Sequence, residues 1–318
     1  MSEKYYAAID LGTNSCRLVV ADKNGNYVYN QSAATRLGEG MSAHNCFTPE
    51  AYDRGIKVLK EFGEIIRDSH CKYRAVATAA CRTAENGPAF VAQVKSECGV
   101  NLEVIDGVEE ARLNLIGALA NADKTKPYVV VYDIGGGSTE VTLADSQTAK
   151  IIYTISIPWG ARNASEKYNL NDYDEQKALT FRKDILNYVN EFKKKCDYEK
   201  YSGQISFVAT SSTPLRLSSY INQRKDYDRE REDGSVMSRE QMDKALAEIN
   251  KTTEKERAGM VHIGVKRAPI FIAGSVLLKT IYDALGAEKL IASYKSAKDS
   301  IIMELINEDQ NGASDKIS

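Results

Sequence analysis

The sequence has little histidine and no cysteine pair spaced to bind a metal. It contains only three histidines, and none of its six cysteines forms a Cys-x-x-Cys pair. Because protein zinc sites are usually built from such clusters, we expect no zinc site. Scattered cysteines of this kind are typical of reduced thiols in a cytoplasmic protein. The six are Cys16, Cys46, Cys71, Cys81, Cys98 and Cys196.

The sequence also lacks a strong net charge, a long apolar run and a signal peptide. Its formal net charge is only −2, which argues against a general nucleic-acid binder. A polyanionic ligand would therefore need a local positive field made by a few arginines and backbone dipoles. With no membrane-spanning run and no leader, we expect a cytoplasmic protein. Its 318 residues, 43% of them hydrophobic, are enough for one large or two medium domains.

The most informative stretch runs from Val129 to Leu143. It predicts a buried strand, a tight turn built on the glycines at 135–137, and a second strand starting near Thr139. Successive backbone N–H groups in such a turn can form an anion-binding nest, although a plain glycine hairpin is the simpler interpretation. Asp133 and Glu140 flank the turn and would repel an anion. A bound Mg²⁺ would reconcile the two charges, since Mg²⁺ prefers carboxylates together with phosphate oxygens.

The chain contains this arrangement twice. In the stretch from Ala7 to Val20, Asp10, Gly12 and Ser15 occupy the places of Asp133, Gly135 and Ser138. Two copies predict two similar α/β halves, each presenting a phosphate hairpin to a shared central cleft. The pattern resembles the actin, Hsp70 and sugar-kinase superfold, which is ribonuclease H-like.

The expected domain boundary lies in the polar connection from Lys124 to Pro127. We expect a first domain over residues 1–124 and a second over 125–308, with the final helix as a candidate to pack back on the first. The polar residues 309–318 are expected to be a disordered tail.

Spacing alone leaves open the roles of three charged residues in the first half. Arg82 follows a predicted strand, Tyr73–Thr78, and could clamp a phosphate, but an exposed loop arginine is the commoner case. Glu109 and Glu110 lie in the first turn of a predicted helix that starts near Gly107. They could simply complement the helix dipole, or one of them could hold a water for attack on phosphate.

The second half gives weaker signals. Ile205–Ala209 is predicted to be a strand that leads into a hydroxyl-rich turn, Thr210–Pro214. Ile270–Ala273 is predicted to be a further strand, followed by a turn at Gly274 and a helix over Val276–Leu285. A last strand near Leu290 and a helix over Ala297–Asn307 complete the chain.

Together these segments resemble the exopolyphosphatase and guanosine pentaphosphate phosphohydrolase (Ppx/GppA) family, in its short two-domain form. The resemblance covers the first 140 residues in the family's order. It rests on Ala8–Ser15, Arg36–Gly40, Ala77–Arg82, Gly107–Arg112 and Asp133–Glu140.

The resemblance implies a role for each matching residue. Glu110 would be the general base that activates water, and Glu109 its neighbour. Asp133 and Glu140 would hold Mg²⁺, with Mn²⁺ as an alternative. The substrate phosphates would be bound by Asp10, Gly12, Thr13, Asn14, Ser15, Arg82, Gly135, Gly136, Gly137 and Ser138.

The second half departs from the family pattern at three places. Ala209 and Ser212 replace the glycines of a Gly-Thr-Ser-Gly-Thr turn, so their Cβ atoms would hold a phosphate away from the backbone, while the turn's hydroxyls could act as donors. Pro269 replaces the acid of an Arg-Ala-Asp segment. Lys295–Ser300 stands where the family has Gly-Gly-Leu-Arg-Glu-Gly.

The leading function implied is a Mg²⁺-dependent exopolyphosphatase that releases terminal orthophosphate from inorganic polyphosphate. The alternatives are a guanosine pentaphosphate 5′-phosphohydrolase and a non-hydrolysing alarmone or polyphosphate sensor. A kinase or ATPase of the same superfold is disfavoured, because only Ala273–Ser275 stands where such proteins carry a glycine pair under adenosine. The resemblance also suggests a homodimer. Neither nucleic acid nor membrane is expected as a partner.

Overall fold

A computed structural model of the chain describes residues 4–314. The described chain divides into two compact units. The first contains the residues up to Leu113 together with those from Ala297 onward, and the second runs from Asn114 to Ser296. The predicted assignment of 1–124 and 125–308 to separate functional domains stays a prediction. No helix within residues 4–314 is both long and apolar enough to cross a bilayer.

The elements up to the division alternate strands with helices. In chain order they are β1 (Tyr6–Leu11), β2 (Cys16–Ala21), β3 (Tyr27–Ala33), α1 (Met41–His44), α2 (Pro49–Asp68), β4 (Lys72–Ala77), α3 (Ala79–Thr83), α4 (Gly87–Gln93), a π-helical turn (Val94–Cys98), β5 (Leu102–Val104) and α5 (Gly107–Ala118).

The second part of the chain repeats this plan with additional helices. Its elements are β6 (Tyr128–Ile134), β7 (Thr139–Asp145), β8 (Ile151–Ile157), α6 (Ala161–Tyr168), α7 (Glu175–Lys195), a 3₁₀ turn (Tyr198–Lys200), β9 (Ile205–Thr210), α8 (Ser212–Ile221), β10 (Val236–Ser238), α9 (Arg239–Ile249), α10 (Glu254–Gly259), α11 (Ala268–Ala284), β11 (Lys289–Ser293) and α12 (Ala297–Ser314).

The two sheets have the same topology. The first has the order β3-β2-β1-β4-β5, and the second has the order β10-β11-β9-β6-β7-β8. In each, three strands form an antiparallel meander, and the first of them pairs in parallel with a later strand. The strands β6, β7, β8, β9 and β11 therefore correspond to β1 to β5. The strand-turn-strand segments predicted at both hairpins are confirmed.

Each sheet is buried on both faces, which explains why its central strands are continuous apolar runs. In β1, Ile9 and Leu11 pack on one face with Phe62 of α2, while Ala8 packs on the other face with Ile301 of α12. The second sheet is likewise covered by two separate apolar clusters. The alternation places every second side chain of β1 on the same face, as a period of two requires.

The predicted strand at Ile270–Ala273 is wrong. The structure has one continuous helix, α11, from Ala268 to Ala284, with Pro269 in its first turn. Nearly all of this helix is buried, so it is apolar around its circumference, and a short apolar window of it cannot be distinguished from a buried strand. Gly274 is not a turn residue. A Cβ there would lie 2.6 Å from Thr213 Oγ1, so this glycine permits close packing.

Two further boundaries differ from prediction. The expected turn over Thr210–Pro214 is shorter, because α8 already begins at Ser212. The last helix continues to Ser314 instead of ending at Asn307. Asp309 in this extension accepts hydrogen bonds from Lys4 Nζ at 2.8 Å and the Tyr6 hydroxyl at 2.9 Å, contacts too distant in sequence to predict. The remaining predicted tail, 315–318, lies outside the described residues.

Candidate active site

The turns of the two hairpins, Gly12–Ser15 and Gly135–Ser138, are closed by the same backbone hydrogen bond. The Gly12 N–H donates to Ser15 O at 3.0 Å, and the Gly135 N–H donates to Ser138 O at 3.0 Å. The residues that face each other before the turns differ, however. Asp10 lies opposite Arg17 on β2, whereas Asp133 lies opposite Glu140 on β7. The duplication therefore preserves the backbone of the hairpin and changes its charge.

The second turn is anchored by the start of α6. The backbone N–H groups of Ala161 and Arg162 donate to the carbonyls of Gly135 and Gly136, both at 2.9 Å. Asn163 Nδ2 donates to Gly137 O, also at 2.9 Å. All three glycine carbonyls of the turn are thus bonded to one short segment, which fixes their orientation.

Gly160 makes this anchoring possible, and sequence reasoning assigned it no role. A Cβ at Gly160 would lie 2.4 Å from Gly136 C and 2.5 Å from Gly137 N. Such distances are far below van der Waals contact, so any side chain would push the α6 start away from the turn. The available signal was a glycine two residues after Pro158, beyond the third strand of the meander.

The first turn is braced by the loop from Thr35 to Gly40. Gly38 N–H donates to Thr13 O at 2.9 Å, and Arg36 N–H donates to Asn14 O at 3.1 Å. Thr13 and Asn14 are each only 7% exposed. The loop from Thr35 to Gly40 therefore helps to hold the first hairpin.

Asp133 accepts three hydrogen bonds from neighbours in the second unit. Oδ1 accepts from the Thr210 hydroxyl at 2.6 Å and from the Ser211 hydroxyl at 2.7 Å. Oδ2 accepts from Asn114 Nδ2 at 2.8 Å. Sequence reasoning identified Asp133 and missed this arrangement, because Asn114 and the two hydroxyls come from other elements.

Glu140 is the direct cross-strand neighbour of Asp133 and is 2% exposed. Its Oε1 accepts from the Ser156 hydroxyl of β8 at 2.8 Å. Two carboxylates side by side at the mouth of an antiparallel pair repel each other and offer hard oxygen donors. This donor chemistry fits Mg²⁺ or Mn²⁺ and does not suit a soft metal.

Glu110 and Arg82 form an ion pair in the first unit. Arg82 Nη1 donates to Glu110 Oε2 at 2.8 Å and to Ile105 O at 2.8 Å. Glu110 is only 7% exposed, although it lies in the first turn of α5. The structure thus brings together two residues whose roles spacing alone had left open.

Glu109 has different surroundings. It accepts hydrogen bonds from Arg112 at 2.7 and 2.9 Å and from Arg74 at 2.9 Å. Glu304 of α12 bonds the same two arginines. The hydrogen bonds from Arg112, followed by those from Arg74, lower the pKa of Glu109, whereas burial opposes that shift. Glu109 therefore belongs to an ion-pair network that joins α5, β4 and α12.

The hydroxyl-rich segment differs from the expectation. Ala209 lies in β9, is completely buried and packs in the apolar core, so its Cβ cannot hold a ligand away from the backbone. Ser212 starts α8. In the segment Lys295–Ser300, which also departs from the family pattern, Lys298 is completely buried and its Nζ bonds Asp299 Oδ2 at 2.6 Å. Burial lowers the pKa of Lys298.

Known proteins with a similar sequence include two curated relatives. Over 317 aligned residues, the chain is 29% identical to a bifunctional 3-dehydroquinate synthase/phosphatase of Fusobacterium nucleatum subsp. nucleatum. That match covers 94% of this chain and 46% of the relative, so the chain spans about half of that protein. It is 27% identical to exopolyphosphatase 2 of Mycobacterium tuberculosis, with 94% of this chain and 98% of the relative covered.

Solved structures have the same fold. An exopolyphosphatase-like protein aligns with a TM-score of 0.86 at 26% identity, over 96% of this chain and 99% of the other. A Ppx/GppA member from Aquifex aeolicus aligns with a TM-score of 0.79 at 24% identity, over 96% and 99%. The predicted fold class is confirmed: the chain is an α/β protein of two similar units with the actin-like superfold.

The family model described as the Ppx/GppA phosphatase family matches residues 18–309. This range contains the second hairpin, the Arg82–Glu110 pair and all but the first strand and turn of the duplicated plan. The enzyme class expected from the sequence, a phosphoric anhydride hydrolase, is confirmed. On a match of this extent, the chain belongs to the Ppx/GppA phosphatase family.

Proposed function

We propose that the chain is a divalent-metal-dependent exopolyphosphatase that releases terminal orthophosphate from inorganic polyphosphate. The observation that carries this proposal is the difference between the two copies of the hairpin. In the second copy two carboxylates, Asp133 and Glu140, lie directly opposite each other, whereas in the first copy Asp10 lies opposite Arg17. An anion nest beside paired carboxylates is suited to phosphate bound together with a divalent cation. The exopolyphosphatase relative, matched over 98% of its length, supports polyphosphate as the substrate.

The proposed roles in the second unit follow from donor chemistry. Asp133 and Glu140 would hold the cation, and the backbone of Gly135–Ser138 would bind phosphate oxygens. When bound, Mg²⁺ would offset the charge of these carboxylates and of the phosphate oxygens. The anchoring of the three glycine carbonyls by α6 keeps the turn in one conformation before the substrate arrives.

In the first unit, Arg82 and Glu110 would act as a pair. Within residues 4–314, Arg82 bonds Glu110 and Ile105 O through Nη1, which leaves Nε and Nη2 to donate to a phosphate. Glu110 would accept a proton from the attacking water while the oxygen of that water bonds the terminal phosphorus. The bond to the bridging oxygen breaks, and the shortened polyphosphate leaves. The location of this reaction in a cleft between the two halves stays a prediction.

Two other functions remain candidates. A guanosine pentaphosphate 5′-phosphohydrolase would use the same residues on another phosphoanhydride. A non-hydrolysing sensor would bind the same ligands without turnover, which the retained Glu110 disfavours. A kinase or ATPase of this superfold stays disfavoured, because Gly274 lies inside α11 and does not form a turn at the end of a strand. The homodimer and the cytoplasmic location stay predictions.

One experiment separates these functions. Phosphate release is measured side by side with long polyphosphate, short polyphosphate, guanosine pentaphosphate and ATP, in Mg²⁺, in Mn²⁺ and in excess chelator. We expect the highest kcat/KM with polyphosphate and no turnover in chelator. Preference for guanosine pentaphosphate would assign the first alternative. Tight binding of either ligand without release would assign the sensor function.

A further inference from the structure

The connection between β9 and α8 contains a backbone conformation that favours glycine. Ser211 has φ of 79° and ψ of −170°, the largest positive φ among the non-glycine residues of the described chain. This region is essentially restricted to glycine, and side-chain residues remain in it only when their surroundings hold them there. Residues in such conformations tend to cluster at functional sites, so the role of Ser211 requires an explanation.

The Ser211 hydroxyl is also used in an unusual way for its position. Ser211 is the N-cap residue of α8, and serine at this position normally accepts a hydrogen bond from the first turn of its helix. Here the side chain makes no capping bond. It donates instead to Asp133 Oδ1 at 2.7 Å. Ser211 thus has a strained backbone and leaves the helix uncapped, while its hydroxyl makes one contact with Asp133.

Thr210 reinforces the same contact. It is completely buried, it pairs directly with Asp133 in the parallel register of β6 and β9, and its hydroxyl donates to the same Oδ1 at 2.6 Å. An ionised carboxylate has about four lone-pair sites, two on each oxygen. Two hydroxyls on Oδ1 and the Asn114 amide on Oδ2 occupy three of them. The remaining site is on Oδ2.

We propose that Thr210 and Ser211 are positioning residues that hold the Asp133 carboxylate so that Oδ2 is the atom offered to the divalent cation. This inference rests on the proposed metal-dependent function. For Ser211, it also replaces the expectation that the hydroxyls of Ser211, Ser212 and Thr213 act as donors to substrate phosphate. Each hydroxyl has a single hydrogen, and both hydrogens are committed to a carboxylate that can only accept them.

The test measures Mn²⁺ binding to the metal-free protein, by electron paramagnetic resonance or calorimetry, alongside the Mg²⁺ dependence of phosphate release. Loss of residues that orient a metal ligand typically weakens metal affinity about 10–100-fold. We expect Thr210→Val and Ser211→Ala to weaken Mn²⁺ binding in this range. Thr210→Ser keeps the hydroxyl and should restore binding to near the wild-type level.

Ser211→Gly gives the sharpest readout, because it removes the hydroxyl and also the backbone strain. We expect its melting temperature to equal or exceed that of the wild type while its Mn²⁺ affinity falls as in Ser211→Ala. A purely structural role predicts instead that stability and metal binding fall together. The matched control is Thr280→Val, which deletes a buried hydroxyl that bonds only Val276 O inside α11 and should leave Mn²⁺ binding unchanged.

The outcomes separate this inference from the proposed function. Wild-type Mn²⁺ affinity in Thr210→Val and Ser211→Gly, with binding lost in Asp133→Asn, would overturn the positioning role and leave the metal site intact. Unchanged metal binding with weakened binding of a non-hydrolysed polyphosphate analogue would make the hydroxyls phosphate donors. A wild-type protein that binds no Mn²⁺ would overturn both proposals.

Discussion

At the scale of single residues, Glu109 and Glu110 are adjacent in sequence and have different surroundings. Glu110 is nearly buried against Arg82, whereas Glu109 is held by Arg74 and Arg112. Adjacent helix positions lie about 100° apart, so the two side chains must face different neighbours. Spacing could show this separation but not which glutamate meets which arginine. Among the sequence signals, only the family resemblance distinguishes Glu110 from Glu109.

Glu110→Gln is expected to abolish most phosphate release with little change in stability. Loss of a general base typically lowers the rate by about 10²–10⁴-fold. Glu109→Gln is the matched control, and it should retain most of the activity because Glu109 is committed to its arginines. Steady-state phosphate release and thermal unfolding of both variants provide the measurement. Equal losses of activity would show that the base is wrongly assigned.

Glu109 should instead contribute to stability at neutral pH, and this contribution should be lost in acid. Its pKa is lowered in the folded protein, so the stabilisation is fully present above the unfolded value of 4.5 and is lost as pH falls through the folded value. We therefore expect Glu109→Gln to lower the free energy of unfolding at pH 7, and the difference from the wild type to shrink as the pH falls below 4.5 and through the folded pKa. Urea unfolding at a series of pH values measures this. A gap between the two proteins that is independent of pH would contradict the assignment.

At the scale of elements, local sequence signals mark where several helices begin, but they do not reveal the contacts that require glycine. α2 starts at Pro49 after Thr48, and α9 starts after the Ser238 capping box, because their start signals are local. The sequence predicts a strand and a separate helix in place of α11, because this helix is apolar on all sides and shows no helical periodicity. The need for glycine at Gly160 and Gly274 depends on backbone and side chains from other segments, which no local pattern contains.

Gly160→Ala should disturb the second hairpin from outside the proposed set of binding residues. Its Cβ would meet Gly136 C at 2.4 Å, so the start of α6 must shift and its bonds to the glycine carbonyls must weaken. We expect a loss of about 1–3 kcal/mol in unfolding free energy. Because the turn that we propose to bind phosphate is displaced, KM for polyphosphate should rise as well. Denaturant unfolding and steady-state kinetics measure the two effects.

Gly259→Ala is the control for this substitution. Gly259 lies in α10, and a Cβ there meets nothing within 4 Å. Alanine is favoured over glycine in a helix, so stability should be unchanged or slightly higher. If Gly160→Ala behaved like this control, the anchoring of the turn by α6 would have no functional importance.

At the scale of the whole molecule, the chain contains one structural plan twice with different charges. The repeated Asp-x-Gly-x-x-Ser pattern was sufficient to predict the two copies, because strand, turn and strand are encoded locally. It could not predict that β10 extends the second sheet, because that pairing joins residues far apart in sequence. The final helix, a candidate from the sequence to pack back on the first domain, packs as α12 against the first sheet. The functional difference between the copies lies in the residue opposite each aspartate.

The two aspartates are therefore expected to respond differently to metal. Asp133 lies opposite Glu140, so Asp133→Asn should remove a cation ligand and raise the Mg²⁺ concentration for half-maximal phosphate release about tenfold or more. Asp10 lies opposite Arg17, so its cross-strand neighbour is a cation and not a second carboxylate. Asp10→Asn should lower kcat or raise KM for polyphosphate without changing the half-saturating Mg²⁺ concentration. Mg²⁺ titrations of both variants at saturating polyphosphate provide the measurement, with direct Mn²⁺ binding as a second readout. Equal shifts in both variants would mean that the metal is not confined to the second hairpin, and the functional asymmetry proposed for the duplicated fold would be wrong.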